Sequence, residues 1–60
     1  MIPLSNQIAC VEREIGLRLR VYPRWVESEK MKQEKADSEI ATMKAVLETL
    51  KTIKENGKPE

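Results

Sequence analysis

One thiol, one phenol, one indole and four guanidinium groups are the side chains of this 60-residue chain with the most chemistry to offer. Cys10 is the single thiol, and Arg13, one helical turn along, is the kind of positive neighbour that reactive thiols use. The chain has no histidine to serve as a base. Cys10 also falls on an apolar helical stripe, so its expected role is that of a small apolar residue. A Gly-rich phosphate loop and a metal-ligand spacing are both missing, and one Cys without a His cannot build a zinc or haem site. The expectation is a non-catalytic protein with no cofactor and no metal.

Recognition is better supplied than catalysis. Arg13, Arg20 and Arg24 fall within about 40° of each other on an ideal helix, a narrow basic stripe. Trp25 and Tyr22 stand beside it in "RVYPRWV", and Trp, Tyr and Arg are the residues that dominate binding hot spots. Trp25 has a second reading, as a residue buried where two copies meet. The arginine stripe can pair with acids on a protein or with phosphates on a nucleic acid. A net charge of +1 gives no general field for nucleic acid or an anionic membrane. A protein partner is therefore expected, with nucleic acid as the alternative and no membrane.

These groups need elements to position them. Leu4, Ile8, Val11, Ile15, Leu19, Tyr22 and Val26 are spaced 4, 3, 4, 4, 3, 4, an apolar stripe about 80° wide on a helix. Ser5 is the expected N-cap. Ala36, Ile40, Met43, Leu47 and Leu50 form a second periodic run. Asn56-Gly57 is expected to end it with a left-handed cap, and Pro59 to block any continuation. The polar stretch "ESEKMK" between the runs places the reversal at 28–32. The fold class is all-α: an antiparallel two-helix hairpin over about 5–28 and 33–56.

Pro23 interrupts the first helix. It cannot donate to the carbonyl of Leu19, and its ring crowds that carbonyl. The helix either stops at Tyr22 or runs through with a kink. Because Tyr22 and Val26 continue the stripe in phase, the kinked but continuous form is expected.

Each helix carries a second stripe. Cys10, Leu17, Val21 and Trp25 lie about 125° round from the first. Thr42, Val46, Thr49 and Ile53 echo them on the second helix, more weakly. A lone hairpin buries one stripe per helix, and an exposed apolar patch usually marks an interface. A 60-residue chain with one cysteine also has no internal disulfide to staple a small core. The expected solution is a homodimer, two hairpins face to face in a four-helix bundle. A monomer with a poorly covered face and a larger oligomer are the alternatives.

The stretch "CVEREIGLRLRVYPRWV…KM…KADSEIATMKAVLETL", from Cys10 to Leu50, resembles a family of short proteins encoded by tailed bacteriophages and prophages. Arg13-Glu14-Ile15, Val21-Tyr22-Pro23, Trp25-Val26, Lys30-Met31, Ala36-Asp37, Glu39-Ile40 and Met43 carry the likeness. It implies an accessory protein of the bacterial host cytoplasm, an inhibitor or adaptor of a host or phage protein, and brings no activity to transfer. It also implies a glycine near Glu29 and a Ser or Thr near Lys32, where this chain departs from the pattern. The opening "MIPLSNQIAC" lacks the basic start and apolar run of a signal peptide, and no stretch reaches the roughly 20 apolar residues of a membrane span. Both fit a cytoplasmic protein.

Overall fold

The computed structural model describes residues 1–57: helix α1 over Leu4–Glu27, a turn, and helix α2 over Gln33–Asn56. The helices run antiparallel in a rod of 49 × 16 × 15 Å. Among the described residues there is no strand. The reversal at 28–32 and the bounds of α2 are as the periodicity predicts.

The seam between the helices is built from the two principal stripes. Leu4, Ile8, Val11, Tyr22 and Val26 of α1 are half-buried, as are Ile40, Met43, Leu47 and Leu50 of α2. Only Ile15 and Ala36 are fully buried, at 7% and 4% exposure. Leu19 departs from the expected seam, being 50% exposed. It lies at the stripe's edge, where a groove runs past Leu19 and Pro23 to Gln33 and Asp37 of α2. Ala36 and Ile40 line the same groove, and Gln33 and Asp37 bond each other across its rim at 2.9 Å.

α1 is continuous through Pro23. The proline is exposed, and the half-buried seam residues Tyr22 and Val26 flank it on both sides.

The turn is a capping motif in its own right. Glu29 takes φ 64, the only positive φ among the described residues. The Lys30 N–H donates to the Trp25 carbonyl at 2.8 Å, and the Glu29 N–H to the Val26 carbonyl at 3.0 Å. That pair of bonds is a Schellman ending with Glu29 at its left-handed position, where glycine is the usual residue. The Trp25 carbonyl also accepts from the Ser28 hydroxyl at 3.2 Å. At the other side of the turn, Lys32 is the N-cap of α2 and makes no side-chain cap bond.

Two expected caps are corrected. Pro3, not Ser5, precedes α1. Its fixed φ of −60° and extended ψ lead straight into the helix, and its carbonyl accepts from Asn6 and Gln7 at 3.1 Å each. Ser5 therefore falls inside the first turn. At the end of α2, Gly57 has φ −97°, so it is not left-handed. Its N–H donates to the Ile53 carbonyl at 2.7 Å. A Cβ there would come within 2.8 Å of the same oxygen, so close approach is what requires the glycine. Pro59 lies outside the described residues.

Candidate interaction surface

The second stripes stay uncovered. Leu17 and Val46 are each 42% exposed, Trp25 44% and Ile53 47%. Cys10, Thr42 and Thr49 are exposed and Val21 is half-buried. Both stripes are displaced from the seam in the same rotational sense, about 125° on α1 and about 110° on α2 by the 100° step of a helix. In an antiparallel pair, equal senses of rotation bring both stripes to one side of the hairpin. Glu12 and Lys51, displaced in the opposite sense, meet across the other side at 3.8 Å. The two stripes therefore form one apolar face along the rod.

That face has an internal register. The Glu12–Lys51 contact puts residues whose numbers add to about 63 level across the seam. Tyr22 and Val26 agree, sharing a groove with Ile40 and Ala36. On this register Cys10 is level with Ile53, Leu17 with Val46, and Val21 with Thr42. The fourth level pairs Glu14 with Thr49. At the turn end Trp25 is level with Ser38, so the face is a stack of five layers: three apolar or nearly so, one polar, and one that sets an indole against a serine.

Glu14 and Arg18 also belong to this face. Glu14, Arg18, Leu17, Val21, Tyr22 and Trp25 line one shallow groove. The Arg18 guanidinium donates to the Glu14 carboxylate at 2.6 Å and to the Glu14 carbonyl at 3.1 Å. The bond to Glu14 holds Arg18 above its ordinary pKa against some desolvation, with Tyr22 adding to the effect. The acid on the face is therefore neutralised within its own helix. Helical angles alone identify this position, since Glu14 falls between Val21 and Trp25 around the helix. On α2 the Thr42 hydroxyl donates to the Ser38 carbonyl at 2.9 Å. Its polar atom is satisfied locally and its methyl is left to the face.

Trp25 sits at the turn end of the face, its ring tilted 31° against Tyr22 with centroids 5.7 Å apart. Tyr22 is half-buried in the seam, so it backs Trp25 rather than standing free. Arg13, Arg20 and Arg24 are exposed along the outer edge of α1, next to the apolar face. Among the described residues none of the three is in an ion pair.

Among the described residues there is no group of three or more His, Cys, Asp or Glu side chains placed to hold a metal. No described helix is long and apolar enough to cross a membrane. Compared with models of known families, with curated proteins and with solved structures, the chain finds no match.

Proposed function

We propose that the chain is a non-catalytic interaction protein that works as a homodimer and binds another protein through the arginine edge of α1. The observation that carries this reading is the uncovered face. The chain exposes 4852 Å², whereas a compact monomer of its mass exposes about 4,000 Å². The excess, about 850 Å², is close to the roughly 800 Å² that each partner contributes to a standard protein interface. Dimerisation through Cys10, Leu17, Val21, Trp25, Thr42, Val46, Thr49 and Ile53 would make the hairpin one half of a four-helix bundle.

In that assembly Arg13, Arg20 and Arg24 remain at the outer edge of α1, while Trp25 is taken up between the two copies. An exposed row of arginines suits an acidic protein surface. The resemblance to phage and prophage proteins makes the target a host or phage protein met in the bacterial cytoplasm, with the chain acting as inhibitor or adaptor. Sedimentation equilibrium tests the assembly: a dimer is expected at micromolar concentration, with a melting temperature that rises with concentration. A stable 6.9 kDa monomer removes the basis of the reading.

Nucleic acid is the second reading, supported by the three arginines that are exposed and without ion pairs. Each phosphate neutralised contributes about 0.9 to the salt slope of log affinity. Three arginines per copy support only weak binding at physiological salt. Fluorescence anisotropy with labelled DNA and RNA at about 150 mM salt decides between the readings. Submicromolar binding that is lost in an Arg13, Arg20, Arg24 triple alanine variant would replace the protein partner with a nucleic acid.

A further inference from the structure

We infer that two copies pair through this face with their turns at the same end, α1 of each lying against α2 of the other. The inference rests on the homodimer reading and adds the arrangement, which that reading leaves open. Two symmetric ways exist to lay such faces together. With the two-fold axis along the rod, the turns meet at one end; with the axis across it, they lie at opposite ends.

The layers distinguish the two. With turns together, every layer meets its own copy. Cys10 and Ile53 of one chain meet Ile53 and Cys10 of the other, and Leu17 with Val46, Val21 with Thr42 and Trp25 with Ser38 do likewise. The polar layer also meets itself, so that the Thr49 hydroxyl of one copy faces the Glu14 carboxylate of the other. Glu14 already has Arg18 at 2.6 Å, so a single hydroxyl donor suits its remaining acceptor sites.

With turns opposed about the Leu17–Val46 layer, the match is lost. Glu14 then comes opposite the Val21–Thr42 layer. Cys10 then meets the Trp25 end of the other α1, while Ile53 comes opposite Glu39, which forms an ion pair with Lys35 at 3.3 Å. Ile53 would cover charge, and a carboxylate would be pressed on Val21. Burial of a charge against apolar neighbours is costly, and one polar layer is a recognised way for helices to fix register and orientation.

The natural lysines supply a test that needs no variant. Lys30 and Lys32 flank the turn, while Lys51 and Lys54 lie near the far end of a rod 49 Å long. Equal amounts of isotope-labelled and unlabelled protein are mixed and treated with a short lysine cross-linker. Mixed-isotope Lys30–Lys30 or Lys32–Lys32 links are the expected result. Links from Lys30 or Lys32 to Lys54 are out of reach within one chain, so finding them between copies overturns the arrangement. A second measurement is pulsed dipolar EPR on a Lys30→Cys, Cys10→Ser protein labelled at the turn. From Leu17 to residue 30 is about 20 Å at 1.5 Å per residue, so opposed turns give about 40 Å between labels. Turns together give about 15–25 Å, the width of a bundle whose helices pack 8–10 Å apart. A long distance, or both distances at once, in a protein that sediments as a dimer overturns the arrangement and leaves dimerisation standing. A monomer overturns both, and so does a stoichiometry above two.

Discussion

The seam and the second face of this hairpin are both apolar stripes at helical spacing, the second diluted by Glu14, Thr42 and Thr49, yet they have opposite fates. Ile15 and Ala36 are sealed between the helices, whereas Leu17, Trp25, Val46 and Ile53 each keep more than two-fifths of their surface in water. Composition does not separate them. Topology does: two helices share one line of contact, so a helix with two apolar stripes can bury only one of them inside its own chain. Periodicity therefore shows that a surface needs cover, while what covers it depends on the other helix or on another molecule.

The comparison is sharpest where a side chain is removed from each face. Ile15→Ala empties the most enclosed large position of the seam and should cost about 2–4 kcal/mol, the range for large-to-small core changes. Its melting temperature should fall at every protein concentration, because the seam belongs to the single chain. Circular dichroism melts over a hundredfold concentration range check this, and an unaffected melting point would mean the seam is not the core.

Leu17→Glu works on the other face. It sets a carboxylate in the central apolar layer and should abolish the dimer in sedimentation. The loss of stability should be the mass-action part alone, about 2.7 kcal/mol where the protein stands at a hundred times its dissociation constant. At high dilution the variant and the parent should melt together. A difference that persists undiminished on dilution would assign Leu17 to the hairpin's own stability.

The turn is a third kind of site, belonging to neither face. Glu29 holds φ 64, a conformation that costs an L-residue about 1–2 kcal/mol. Glu29→Gly should remove that strain and, after glycine's greater freedom in the unfolded chain, gain about 0.5–1 kcal/mol. The gain should be equal in monomer and dimer, seen as a parallel shift of the melting curves. Dissociation constants from sedimentation should not move; if they do, the turn takes part in the assembly.

How far the sequence reveals this molecule follows from the range of each cause. Helix bounds, the hairpin and its seam come from spacing along one helix, and spacing is visible in the chain. Continuity through Pro23 was legible for the same reason, because Tyr22 and Val26 keep phase. The cap at Ser5 was misread because Pro3 pre-sets the backbone one step earlier. The left-handed residue was invisible to turn chemistry, since a glutamate occupies it. On the interaction surface the stripe residues were legible, while Glu14 among them and the layering across the seam required the register.

The smallest expected effect is the most selective probe of the second face. Thr42 spends its hydroxyl on the Ser38 carbonyl at 2.9 Å, a bond that slightly weakens a helix interior and competes with no other partner. Thr42→Val keeps the side chain's shape and exchanges that oxygen for a methyl directed along the face. In an isolated hairpin the position is exposed, so the stability change should stay within the roughly 0.5 kcal/mol of ordinary surface substitutions. In the dimer the same methyl joins the Val21–Thr42 layer. A fully buried CH₂ contributes about 0.8 kcal/mol, and partial cover reduces this to about 0.5 per copy. Two copies together give about 1 kcal/mol, which lowers the dissociation constant about fivefold. Sedimentation of wild type and variant side by side reads this directly. An unchanged constant, alongside an unchanged monomer stability, would leave Thr42 outside the buried surface and move the interface toward Leu17 and Ile53.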